Sequence, residues 1–313
     1  MNTTIYKTKD DSATAVLRRI DSDVCGFGKS VGRSSWSVSS PETHHIEFTG
    51  IGDMVRVAME GAVSGVYEFD FFNDADWIGR RFNSYTDITK AVDSVWTEGV
   101  DTVEDMSREL EREELPRPTV IKRRRVWDDY AGDEIDVDRY RSADPFFRTN
   151  ARVSTPGPRV ITFLVQLGAN AYRDSLSLFW RGALATTLAR IVEDAGYRTE
   201  IIGFTMCEST TTNPQCGNTL TTFRLKEAGD MLDVGALVNA TSGWFFRTVT
   251  FAAWATPGER LSYGLGHMVE ATPEVVEYIA PNARPWLISG VYDKEASLKL
   301  ARELLATLVH ESR

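Results

Sequence analysis

Cys25, the pair His44-His45, Cys207 and Cys216 are the residues from which a metal centre or a nucleophile could be assembled in this sequence. Zinc takes about four ligands at coherent spacing, and adjacent histidines on a strand point to opposite faces. Cys25 and the histidines therefore read as parts of an ordinary loop. Cys207 and Cys216 bracket "ESTTTNPQ". A nucleophilic thiol needs a histidine within hydrogen-bond reach. His267 is the nearest candidate in sequence, and nothing in the spacing sets its geometry. "CGFGKS" ends like a phosphate loop at Gly28-Lys29-Ser30, but position 23, where the first glycine belongs, is Asp, and no apolar strand precedes it. The acids Asp133, Glu134, Asp136 and Asp138 begin like a calcium loop, with its glycine and terminal glutamate misplaced. A helix N-terminus, where carboxylates meet the positive end of the dipole, is the structural reading. A docking surface for a basic partner is the alternative.

The remaining stretch is "RVITFLVQLGANAYRDS", residues 159–175. An apolar run stops at Gln166, passes Gly168 and enters a helical pattern, so the turn between them presents Gln166, Gly168, Asn170 and Tyr172. Fully apolar strands are those covered on both faces. Residues 172–195 form the strongest helical pattern, with Leu176, Phe179, Trp180, Ala183, Leu184, Leu188, Ile191 and Val192 on one stripe and Gly196 as its end.

"YRTEIIGFT", "TLTTFRLK" and "PWLISGVY" read as further strands. Residues 293–311 close the chain as an amphipathic helix carrying Ala296, Leu300, Leu304 and Leu308. "MLDVGALVNA" and "WFFRTVTFAAWA" read as helical, the second with a strand as its alternative. Upstream, residues 1–45 are polar and expected to be flexible, and "YEFDFF" alternates like a half-buried strand. Residues 85–115 are helical with a break at Gly99, and "TVIKRRRVW" reads as an edge strand. The aromatics Trp180, Trp244, Phe245, Phe246, Phe251 and Trp254 are expected in the core, with Trp77, Phe82, Tyr85 and Trp96 packing onto the same sheet.

The chain has 313 residues, 42% hydrophobic, with a net charge of −10. That is enough apolar material for a sizeable core. The acidic balance argues against nucleic acid as a partner, because phosphate contacts need clustered cations. The one basic cluster, Lys122-Arg123-Arg124-Arg125, is followed at once by Asp128 and Asp129. No apolar run is long enough to span a bilayer, and the N-terminus lacks the apolar centre of a signal peptide. Three cysteines without paired spacing fit a reducing compartment. A cytoplasmic protein is expected.

Residues 159–205, with the helix ending Ala195-Gly196 and the strand ending "GFT", resemble the first strand, helix and second strand of von Willebrand factor A (VWA) domains. The closest type is that of the bacterial cobaltochelatase T subunit and nitric-oxide-reductase accessory D proteins. "GDEIDVDRYRSADPFF" is similar to an acidic segment that precedes the domain in the second group. In metal-binding members an Asp-x-Ser-x-Ser motif ligates Mg²⁺ or Mn²⁺. Carried over, the Asp falls on Gln166, the first Ser on Gly168 and the second on Asn170. A hard dication wants carboxylate oxygen, and the carboxylate is gone. Asp174 lies too far into the helix to replace it, and Asp293 alone makes a weak site.

The resemblance implies a three-layer α/β fold, a mainly parallel sheet with helices on both faces, over residues 155–313. An α+β region, 46–154, would pack against it. It further implies a non-enzymatic protein-interaction module without metal or cofactor. Partner-binding residues would be Gln166, Gly168, Asn170, Tyr172 and Asp293, on loops 166–172, 205–220 and 291–295. The implied partner is an AAA+ ATPase of the MoxR type. Similar chains among bacteriophage proteins imply the alternative, a virion or assembly component that self-associates into a homo-oligomer. An enzyme using Cys207 or Asp293 is the third expectation, without a supporting constellation.

Overall fold

A computed structural model describes residues 2–25, 42–63, 75–110, 115–142, 144–156, 159–208, 218–256, 267–281 and 283–311. "YEFDFF", most of "CGFGKS" and the loop around Cys216 lie outside the described residues.

The core of the molecule is one mixed sheet. Its strands are β1 (Asn2–Lys7), β2 (Thr14–Asp21), β3 (Glu42–Phe48), β7 (Val160–Gln166), β8 (Arg198–Glu208), β9 (Asn218–Lys226), β10 (His267–Met268) and β11 (Trp286–Ile288). They run in the order β1-β2-β3-β9-β8-β7-β11, with β10 paired to β8. The pairs β3–β9, β7–β8 and β7–β11 are parallel. The pairs β1–β2, β2–β3, β8–β9 and β8–β10 are antiparallel. Parallel character is thus confined to β8-β7-β11 and to the β3–β9 seam, so the sheet is mixed where the alternating pattern predicts a mainly parallel one.

Residues 2–21 form two strands of this sheet and β3 a third, where a flexible segment to residue 45 is expected. Polar residues hid them: β2 alternates half-buried and buried positions, a pattern that only a neighbouring strand makes stable. No boundary separates residues 46–110 from the C-terminal half, because one hydrophobic core runs from Ala13 to Leu308.

The helices lie mostly on one face. They are α1 (Ile51–Val63), α2 (Ala75–Ile78), α3 (Tyr85–Val92), α4 (Thr97–Leu110), α6 (Ser175–Asp194), α7 (Val234–Ala240), α8 (Gly243–Phe245), α9 (Phe251–Ala255), α10 (Pro273–Ile279) and α11 (Lys294–Glu311). A π-helical turn, Phe246–Thr250, joins α8 to α9, so "WFFRTVTFAAWA" is helical throughout. Apart from α10, these helices share the larger core, including α11 through Leu298, Ala301, Leu305 and Leu308. On the other face, α10 covers a smaller core of Leu164, Ile202, Phe204, Met206 and Leu220. The fold is α/β with helices on both faces of the sheet, as expected, in layers of unequal size.

Helix α6 is the centre of the larger layer and is buried on nearly every side, as expected of a helix ringed by others. Leu176 alone of the predicted stripe is exposed. Asp174 caps its first turn, accepting the Ser177 amide at 2.6 Å. Gly182 lets Thr241 approach: a Cβ there would stand 1.9 Å from its Oγ1. Gly99 has a similar task. It sits inside α4, against Val238, while the helix break falls before Thr97. Trp244, Phe245, Phe246, Phe251 and Trp254 are buried, and Phe82 and Trp96 pack on Trp244 and Phe179.

Residues 119–156 stand apart. β4 (Thr119–Asp128) pairs with β6 (Phe147–Pro156), and the two-residue β5 (Glu134–Ile135) adds to β6 beside the short α5 (Val137–Arg141). The "TVIKRRRVW" stretch is the edge strand that its pattern predicts. No described side chain from 125 to 149 is buried. The part from 125 to 149 therefore does not pack on the sheet as the α+β reading predicts.

Candidate functional site

The carboxyl ends of β7 and β11 lie side by side, and the loops that leave them are fastened by one side chain, Arg181. It projects from the second turn of α6 and is 1% exposed. Its Nη1 donates to the main-chain carbonyls of Gln166 and Gly168, both at 2.9 Å. Its Nε donates to the Val291 carbonyl at 3.3 Å. Its Nη2 faces Glu270 Oε1 at 3.6 Å without a hydrogen bond. The guanidinium also lies 4.5 Å from the centre of the Tyr292 ring, and the Tyr292 hydroxyl donates to Glu270 at 2.7 Å. Burial lowers the Arg181 pKa, and Tyr292 and Glu270 pull it back up. Guanidinium stays protonated in proteins, so a fixed positive charge sits among converging carbonyl oxygens.

Gln166 is 1% exposed. Its Nε2 donates to the Val269 carbonyl at 2.5 Å, and its Oε1 accepts the Ala271 amide at 3.1 Å. Asn170 Oδ1 accepts the Met268 amide at 3.1 Å. Gln166 thus holds the segment that follows β10, and Asn170 holds β10 itself. Gly168 lies beneath it: a Cβ would come 2.7 Å from Met268 Sδ. Asp293 is exposed and caps α11, accepting the Ala296 amide at 2.8 Å.

Of the five residues expected to touch a partner, Gln166 and Gly168 are buried and cannot do so, which corrects that expectation. Asn170 is half-buried and engaged. Tyr172 is 78% exposed and presents its ring outward from this loop. Beside it Arg173 stacks on Tyr292, 3.9 Å from the ring centre. Trp77 Nε1 donates to the Ala171 carbonyl at 2.8 Å, and Arg247, from the π turn, donates to the carbonyls of Trp77 and Arg173. The loop is therefore held from both sides. The 209–217 portion of the expected second loop lies outside the described residues.

Sequence reasoning missed Arg181, Glu270 and Tyr292. The available signal was a single arginine inside the apolar stripe of α6: a charge on a helix buried all round must be paired or bridge something.

Among the described residues no three His, Cys, Asp or Glu side chains gather as metal ligands. Cys207 is buried against Met268, 3.2 Å from its sulfur, and burial pushes its thiol pKa up, away from the thiolate that a nucleophile requires. His45 and His44 do not form a site with Cys25. His45 instead bridges Tyr278 through Nδ1 at 2.9 Å and Thr222 through Nε2 at 2.8 Å. It lines a cavity of about 510 Å³ on the α10 face, whose arginines are already paired, Arg18 with Glu47 and Arg224 with Glu200. Among the described residues no helix is long and apolar enough to cross a membrane.

These features define an α/β protein whose strand-end loops are closed by an internal cation. Residues 31–308 match a domain of unknown function, DUF7192, and the chain belongs to that family. No curated protein and no solved structure matches it.

Proposed function

We propose that the protein is a metal-independent, VWA-like interaction module whose strand-end rim binds another protein. The observation that carries this reading is Arg181. In the domains that the sequence resembles, a dication joins the first and last loops. Here a guanidinium joins the Gln166 and Gly168 carbonyls to that of Val291, and position 166 has an amide where the carboxylate would be. Taken in chain order, β9-β8-β7-β11 is the order third, second, first, fourth of a doubly wound half-sheet, in which ligands bind where the order reverses. Arg181 spans that point. A fastened loop that exposes Tyr172, followed by the exposed Leu176 in the first turn of α6, suits recognition, since ordered aromatic anchors bind at low entropic cost. The resemblance makes a MoxR-type AAA+ ATPase the partner to look for.

The test is purification of the tagged protein from its host, with mass spectrometry of what accompanies it. One ATPase should be recovered, and Tyr172→Ala with Leu176→Asp should reduce recovery at least tenfold while leaving the unfolding midpoint unchanged. Recovery unaffected by these changes would place the binding surface elsewhere. Recovery of virion proteins, or of this chain alone, would favour the assembly reading.

A further inference from the structure

The hairpin β4–β6 leaves the body at the opposite end from Gln166. β6 leads into the start of β7, and Pro118, before β4, lies near Gly196 at the foot of β8. Ten residue pairs join the two strands, and at about 3.3 Å per residue they make an arm on the order of 30 Å long. Among the described residues no element of the body packs closely on it.

Its tip is nevertheless built. Asp128 Oδ1 accepts the amides of Tyr130 at 2.7 Å and Ala131 at 3.1 Å. The Asp133 and Asp136 amides donate to the carbonyls of Arg148 and Phe146, both at 2.9 Å. Asp136 caps α5 through the Asp138 and Arg139 amides, and Arg139 Nε donates to the Pro145 carbonyl at 2.9 Å. Trp127 lies between the guanidinium groups of Arg139 and Arg148, at 4.5 and 5.3 Å. Tyr140 meets Phe146 edge-on at 4.9 Å.

This ordered tip turns its apolar side chains outward. Tyr130 is 90% exposed, Ile135 62%, and Val137 and Tyr140 more than half. Clustered exposed apolar residues with a polar rim mark interaction sites. The rim is net acidic: residues 125–148 hold seven carboxylates against four arginines, with Arg125 and Arg148 flanking Glu134 at 3.5 and 3.8 Å and Arg141 3.9 Å from Asp138. That charge repels phosphate, whether of nucleic acid or of anionic lipid, and it repels a second copy of the same tip.

We infer that the tip of the β4–β6 arm is a second docking surface, for a protein segment that is both basic and apolar. It is independent of the strand-end rim. The contact would place apolar side chains on Tyr130, Ile135 and Val137, with lysines or arginines against Asp129 and Asp138.

The test uses the full chain in its host with Tyr130→p-benzoylphenylalanine, irradiated, and the crosslinked peptides sequenced by mass spectrometry. Met231, 91% exposed on the body, carries the same group in the control. The expected product is a crosslink to a different protein through a segment with more Lys and Arg than Asp and Glu. Its yield should fall at least tenfold with Asp129→Lys and with Ile135→Ser, at unchanged unfolding midpoint. Crosslinking to a second copy, to an acidic segment or to nucleic acid or lipid would overturn the inference. So would the absence of any product beyond those seen from Met231.

Discussion

Arg181 and Gln166 meet at the end of β7, but through the main chain: the guanidinium takes the Gln166 carbonyl at 2.9 Å, leaving the side-chain amide free to hold Val269 and Ala271. One residue thus ties three loops together, its carbonyl to the loop after β11 through Arg181 and its side chain to the segment after β10. The arrangement makes both residues parts of the scaffold, and the adjacent exposed residues the parts that could meet a partner.

Arg181→Met strands three buried carbonyls and should lower stability by about 3 kcal/mol or more. Arg181→Lys should recover only part of this, since a point ammonium cannot reproduce the planar fork. Urea unfolding measures both, and a loss below about 1 kcal/mol for the methionine variant would show that the guanidinium is not the fastener. Millimolar Mg²⁺ or Mn²⁺ should leave the wild-type midpoint where it is, because an ion binding only the native state would raise it.

Gln166→Leu keeps the volume and removes both hydrogen bonds. It should cost about 2–4 kcal/mol by leaving the Ala271 amide and Val269 carbonyl unpaired. Gln166→Arg should cost more, since a longer charged chain has no room at a position 1% exposed. Loss of partner binding in either variant would therefore report unfolding, which circular dichroism would reveal.

His45 predicts a pH dependence. Burial, with Arg18 adding to it and Glu47 opposing, holds its pKa at about 4, below the roughly 6.5 of the unfolded chain. Between those values the unfolded chain binds a proton that the folded one refuses. Stability is complete above about pH 6.5 and falls as the pH drops toward 4, by about 3 kcal/mol in all. His45→Gln should flatten this slope in denaturation curves taken across the window; an unchanged slope would assign it to other groups.

Lys226, buried, and Glu193, half-buried, form an ion pair at 2.9 Å that ties the end of α6 to β9. Thr199 Oγ1 also donates to Glu193 at 2.6 Å. Lys226→Met alone leaves a half-buried carboxylate that keeps its Thr199 hydrogen bonds, and should cost about 1–3 kcal/mol. Combined with Glu193→Gln it should cost less than the two single changes together. Additive losses in the double-mutant cycle would argue against coupling.

Much of the candidate site was legible as local pattern. The run to Gln166, the helix after Asp174 and the strand to Thr205 follow from apolar periodicity within a few turns of chain, and their structures match the reading. The strands β1, β2 and β3 were not legible, because each is stabilised by a neighbour: β3 pairs with β9, far away in sequence. The acidic run 133–138 shows both sides. Its capping at Asp136 is local and was foreseen, while its place at the tip of an arm depends on how β4 meets β6.

By itself the sequence determined that an apolar strand ends in an amide at 166 where a metal-binding relative would need a carboxylate, and that a long helix follows. Only the tertiary structure decided what replaces the metal's charge. Arg181 reaches the carbonyls of Gln166, Gly168 and Val291 because the crossover from β7 lays α6 over the ends of β7 and β11. A side chain's target across such a crossover depends on where the two elements pack, and no local pattern carries that information.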